Sequence, residues 1–411
     1  MSNKQKREYQ IVVWGASSVV GRQVAFYLAK HHSDLRWTIA GRSKQKLQKV
    51  VSELAAIHEP LSKIQPLYGD SDDRASLDKI TSQTDVVIST VGPYALYGDH
   101  LVASCVHNAT HYCDITGETW WVKKIIDSYH RQCEEKKTLV IHFCGLDSVP
   151  GDVGAKMMAR HCETEGFTCE EVRGYFVDGK GDLASGTVLS LMGAYEQGKV
   201  GELLKPHLLC PPHCRKTGPK DGFLPAWDRS AKMWTAPYIM APINTRAVRR
   251  TAAILGKEAN FSEDFTYTEF FGTKWFAVAA AVSVVTLFTC LFLALPPARW
   301  LVKKFVLPRL QGPTQESIDN GFWDVKLLAK GKKKDGNSAV FYGTVRGNKD
   351  PGYGDTSAML SEIAVYVARN REKCAKGGVL TPGVAVGEDI IDELRKTANI
   401  CFDVTKTRWT K

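Results

Sequence analysis

The chain has 411 residues, enough for two or three domains at about 150 residues each. Hydrophobic residues make up 44% and charged residues 24%, a balance that excludes a disordered or collagen-like chain. Lysine and arginine total 54 against 44 acidic residues, a formal charge of +10. That excess favours anionic partners without choosing among nucleotide phosphates, nucleic acid and an acidic membrane surface. The 11 cysteines have no regular spacing and sit mostly in apolar runs, which points to a reducing compartment and free thiols. The polar opening MSNKQKREYQ predicts no secretory signal.

The first third alternates strand and helix. Ile11 to Trp14 is a short apolar run ending at Gly15, and a helical pattern follows through Val20, Val24 and Leu28. Trp37 to Ala40 repeats the strand, with a helix face at Leu47, Val50, Val51 and Leu54. Further strands are predicted over 64–68, 85–91, 111–115 and 139–143, with helices around 101–106 and 121–133. Strands apolar on both faces and separated by amphipathic helices indicate a parallel sheet covered on both sides, a doubly wound Rossmann-type domain over 9–150.

A second α+β domain is expected over 151–274 and 311–372. It carries a strand at 172–177, a helix at 187–196, two strands at 322–329 and 339–345, and a helix at 356–369. An irregular stretch holding seven prolines lies between Pro206 and Pro242. The segment 373–411 is expected to pack back on the first domain, with a helix around 390–396 and a last strand.

Trp275 to Leu295 is 21 residues without a charge, long enough to cross a hydrocarbon layer of about 30 Å. Pro296 and Pro297 end it, and Arg299, Lys303, Lys304 and Arg309 follow without an acid. The segment 275–295 with its basic flank 296–310 therefore reads as a membrane-associating helix. If the C-terminal strands complete the same globule as the rest, it dips in and returns, or lies within a monolayer. The competing occupant is a second copy of the chain, in a homodimer interface.

The first strand–helix turn reads Gly15-Ala16-Ser17-Ser18-Val19-Val20-Gly21, a dinucleotide-binding pattern with serine in place of the middle glycine. Ser18 is expected to offer its amide and hydroxyl to a phosphate at the helix N-terminus. The second strand ends at Arg42 where an NAD enzyme usually has an acid, and an arginine suits the extra phosphate of NADP. The fourth ends in Gly92-Pro93-Tyr94, at the edge where cofactor and substrate meet. Tyr94 and Tyr97 are candidate proton donors, and Asp114, Glu118 and Asp147 can position substrate or act as base. The other reading of these segments is turn chemistry and helix caps. Arg249 and Arg250 either clamp an anion or sit on a solvated face. His207, Cys210, His213 and Cys214 lie close together but lack the paired spacing of a zinc site, so no metal is expected. With no nucleic-acid module visible, the basic excess is not read as nucleic-acid binding.

These motifs resemble the saccharopine dehydrogenase-like oxidoreductases. So do Asp114-Ile-Thr-Gly117-Glu118, Gly145-Leu-Asp-Ser-Val-Pro150, Val248-Arg-Arg-Thr251, Gln311-Gly-Pro-Thr314 and Gly377-Gly-Val-Leu-Thr-Pro-Gly383. The resemblance runs from about residue 9 to 404. It implies an NADP-binding Rossmann domain and oxidoreductase activity. For animal members it implies a lipid-droplet or endoplasmic-reticulum surface facing the cytosol, and for bacterial ones enoyl reduction in glycolipid assembly. Three functions follow: reduction of a lipid-borne C=C or C=O group with NADPH, a saccharopine-type reductase acting on amino acids, or a non-catalytic NADP-binding membrane protein.

Overall fold

The computed structural model describes residues 7–182, 185–214, 219–310 and 312–405. Gln311 of the last motif but one, and residues 406–411 of the C-terminal segment, lie outside the described residues. Two compact units divide the chain. The first comprises 1–116, 124–145 and 356–398, and the second 117–123, 146–355 and 399–411.

In chain order the strands are β1 (Tyr9–Trp14), β2 (Trp37–Gly41), β3 (Leu67–Tyr68), β4 (Thr84–Ser89), β5 (His111–Asp114), β6 (Leu139–Ile141) and β7 (Thr168–Lys180). They continue with β8 (Ala226–Asp228), β9 (Met233–Ala236), β10 (Phe261–Thr273), β11 (Phe322–Lys332), β12 (Ser338–Gly347), β13 (Gly378–Leu380) and β14 (Cys401–Thr405).

The first unit is built on a seven-stranded sheet in the order β13-β6-β5-β4-β1-β2-β3, with its neighbouring strands paired in parallel. Apart from β13 this is the Rossmann order, with the switch point between β1 and β4. Ile11, Val12 and Val13 are wholly buried, as are Val86, Val87 and Ile88 of the neighbouring strand. Each such side chain stabilises the fold by about 1.5–3 kcal/mol. The third strand is shorter than predicted: residues 59–63 form a 3-10 turn and only Leu67 and Tyr68 pair. Tyr27 and His32 both bond the buried Glu362, which ties the helix Gly354–Arg369 to this unit from residue 356. The sequence predicts that helix in the second domain. Its apolar pattern did not reveal which sheet it covers.

The second unit is a mixed seven-stranded sheet, order β14-β12-β11-β7-β10-β9-β8, in which only β7 and β10 pair in parallel. β14 pairs with β12, so the end of the C-terminal segment belongs to this sheet and only its earlier part, through β13, joins the first. The proline-rich stretch is followed by a helix, Ala241–Leu255, that the sequence pattern does not predict. Arg246, Arg249 and Arg250 on it are buried. Their guanidinium groups donate to the carbonyls of Leu203, Lys205, Pro206, Leu209 and Pro219, and to that of Tyr267. Both expectations for Arg249 and Arg250 are therefore corrected. They neither clamp an outside anion nor face solvent, but fasten the proline-rich segment to the core.

The apolar helix runs Phe276–Ala294. Only Ala279, Ser283 and Leu293 on it are buried, whereas Val284 is 67% exposed, Phe288 66% and Leu291 61%. Its C-terminal carbonyls at Leu293 and Ala294 accept from Arg299, and Pro296 opens a second short helix, Pro296–Leu301. Of the basic flank, Lys303 pairs with Glu196 and Lys304 lies 4.7 Å from the Trp300 ring centroid.

Candidate active site

In the first unit the turn after β1 is set by two glycines. Gly15 takes φ +85, in the left-handed region, and a Cβ there would collide with Val91 Cγ2. A Cβ on Gly21 would collide with the Gly15 carbonyl oxygen, so the helix Val19–His31 can start this close to the strand only with glycine. Ala16 is buried under the turn, while Ser17 and Val19 are exposed at the helix mouth.

Ser18 plays a different part from the one expected. Its amide donates to Gly15 O at 2.9 Å, and its Oγ accepts from Gly21 N at 2.9 Å while lying 3.2 Å from Thr90 Oγ1. Both polar groups are spent inside the loop. Ser18 is the N-cap that shapes the turn, and the amides of Val19 and Val20, which have no intrahelical acceptor, are left to meet a phosphate.

At the end of β2, Gly41 is buried and Arg42 exposed, and Ser43 caps the next helix by accepting from Lys46 N. Lys44 Nζ lies 5.2 Å from the Tyr68 ring centroid. Among the described residues Arg42, Lys44 and Lys46 have no acidic partner. Three uncompensated cations at the end of β2 and the start of the helix Lys44–Ile57 suit a nucleotide that carries a phosphate on its ribose. NADP therefore fits the residues present.

Gly92 and Pro93, joined by a cis peptide bond, follow β4. Tyr94 is buried and its hydroxyl donates to Ser89 O at 3.0 Å, so it is a strut beneath the loop and is corrected as a proton donor. Tyr97, one turn on, is 40% exposed. Asp114 is fully buried at the end of β5. One carboxylate oxygen accepts from Thr116 N at 3.1 Å and the other meets His142 Nδ1 at 2.8 Å. It holds neighbouring strand ends in place.

Glu118 falls in the second unit, buried, with Ser190 Oγ donating to it at 3.3 Å. The same unit contains an acidic cluster that sequence reading found only in part. Buried Glu269 on β10 accepts from Asn244 Nδ2 at 2.6 Å and bonds Tyr267 Oη at 3.0 Å, and Ser148 Oγ in turn bonds Asn244 Oδ1 at 3.0 Å. Burial pushes the Glu269 carboxyl up to about 8, the two hydrogen bonds opposing the rise and the charges of Asp147 and Asp221 adding to it. Burial also raises Asp147, to about 6, and raises the Tyr238 and Tyr267 phenols. The sequence singles out Asp147 but not Glu269, which shares one face of β10 with Phe265, Tyr267 and Phe271.

His207 Nδ1 and Cys210 Sγ are 3.6 Å apart. Among the described residues no three His, Cys, Asp or Glu side chains are placed to hold a metal.

Residues 11–141 match the family described as saccharopine dehydrogenase NADP binding domain. A Mycobacterium tuberculosis protein provisionally named trans-acting enoyl reductase is 31% identical, over 97% of this chain and 98% of its own. The trans-acting enoyl reductase of Mycobacterium ulcerans is 28% identical, over 97% and 98% respectively. In fold, the chain is similar to apo saccharopine dehydrogenase (L-Glu forming) from Saccharomyces cerevisiae. That match has a TM-score of 0.54 at 14% identity and covers 97% of this chain and 99% of that one. The nucleotide cradle, the NADP-binding match and the full-length relatives agree, and the chain belongs to the saccharopine dehydrogenase-like family of NADP-dependent oxidoreductases.

Proposed function

We propose that the chain reduces a C=C or C=O group carried by a lipid, at a cytosol-facing membrane or lipid-droplet surface. Two relatives bear the name of enoyl reductases, which supports a conjugated C=C as the reducible group. The observation that carries the lipid setting is the helix Phe276–Ala294, 19 residues without a charge and exposed along most of its length. Exposed apolar area of this extent is unfavourable in water at about 25 cal/mol per Å² and favourable in hydrocarbon.

NADPH, when bound, supplies the hydride. The chain's own part begins with Val19 and Val20 amides for the phosphates and Arg42 with Lys44 for the ribose phosphate. Tyr97, exposed where Tyr94 is not, gives its hydroxyl proton to the substrate atom left electron-rich, and solvent restores that proton. An amino-acid substrate would need free cations for its carboxylates, and Arg246, Arg249 and Arg250 are engaged elsewhere. The test is NADPH consumption by the full chain in phospholipid vesicles. Turnover of an enoyl or ketoacyl lipid supports the reading. Turnover only of a 2-oxo acid with an amino acid overturns it.

A further inference from the structure

The edge of the second sheet carries an apolar surface of its own. Trp227 on β8 and Trp234 on β9 are directly opposed, their rings 5.4 Å apart. Trp234 in turn packs edge-on against Phe276 at 4.8 Å, the first residue of the apolar helix. β10, which pairs with β9, leads through Lys274 and Trp275 straight into that helix. Hairpin and helix entry thus form one continuous aromatic surface. Leu224, just before the hairpin, is 81% exposed and Phe223, Trp227, Trp275 and Phe276 are exposed with it.

The exposed, uncompensated charges along this segment are all positive. Lys220, Arg229, Lys232 and Lys274 are exposed, and none has an acidic partner among the described residues. The nearby acids are already occupied. Asp221 pairs with Arg246 at 2.5 Å, and Asp228 pairs with Arg173 at 2.6 Å and caps the hairpin turn through Ser230 N and Ala231 N. The turn is therefore held by bonds that do not use its exposed side chains. Tryptophan with a ring of lysine and arginine beside an uncharged helix is the pattern that settles at the boundary between head groups and acyl chains.

We infer that the β8–β9 hairpin, with Phe223 and Leu224, is a second lipid-contacting element that seats on an anionic phospholipid surface beside the entry of the apolar helix. This rests on the membrane reading above. The hairpin would fix the depth and tilt at which β10 delivers the helix, since Trp234 packs on both.

The test uses the full chain in phosphatidylcholine–phosphatidylserine vesicles, with a photoreactive benzophenone side chain installed singly at Leu224, at Phe288 or at Lys334. Lys334 lies in the turn between β11 and β12 of the same sheet and is exposed. Crosslinks to phospholipid at both Leu224 and Phe288, several-fold above Lys334, are expected. A crosslink at Phe288 with none above the Lys334 level at Leu224 would overturn the hairpin's role and leave the membrane reading standing. No crosslink at either position would overturn both.

Discussion

Replacing Glu269 by glutamine removes one buried titratable group and little else. The glutamine carbonyl can still accept from Tyr267, and a flip of Asn244 lets its carbonyl accept from the new amide. The folded-state value of about 8 lies well above the ordinary 4.5, so the folded protein binds this proton more tightly than the unfolded chain does. The associated stability is fully present below about pH 4.5 and is lost as pH rises towards 8. At about 1.4 kcal/mol per unit, the loss is at most about 5 kcal/mol across the range, with roughly 2 kcal/mol of it expected above pH 6.5. Asp147 and Asp355 shift in the same direction but only to about 6, and so titrate mostly below that window. Denaturant unfolding at pH 6.5 and 8.5, followed by tryptophan fluorescence, isolates the effect. The unmodified protein should lose stability between the two values, and Glu269→Gln should lose much less. Equal losses in both proteins would show that Glu269 is ionised throughout and refute the reasoning.

Arg42→Asp should weaken NADPH binding by about 1–3 kcal/mol in calorimetry while leaving NADH nearly unchanged, because it replaces a cation with a charge that repels the ribose phosphate. Tyr97→Phe should lower turnover by about 10²–10⁴-fold with NADPH affinity intact. Tyr94→Phe should instead cost about 1 kcal/mol of stability, the bond to Ser89, and leave turnover within a few-fold. Val285→Asp with Phe288→Asp, both on exposed helix positions, should release the chain from floated vesicles without loss of NADPH binding. Retention on the vesicles would place the helix against protein instead.

The first sheet was legible in the sequence because its strands are buried on both faces and alternate with amphipathic helices. β13 was not, since only three residues pair and they lie more than 200 positions after β6. The helix Ala241–Leu255 escaped notice for a different reason. Its buried positions include Asn244, bonded to Glu269 and Ser148, and Arg246, Arg249 and Arg250, bonded to carbonyls of an irregular loop, and such polar side chains carry no hydrophobic period. Missing that helix hid Asn244, and with it the setting of Glu269. At the cofactor turn, residue types predicted the backbone well. They did not show that Ser18 turns inward to Gly21, a choice made by local cap geometry.

The central claim is hydride transfer from NADPH to a lipid, and isotope transfer tests it most directly. The full chain in vesicles is given NADPH dideuterated at the nicotinamide C4 position, so that either face delivers label, together with an enoyl or ketoacyl lipid, and the extracted lipid is weighed by mass spectrometry. Lipid gaining one deuterium at the reduced carbon, with no gain in a Tyr97→Phe control over the same time, is the result expected. Lipid recovered without deuterium, from protein shown to bind NADPH, would contradict the account.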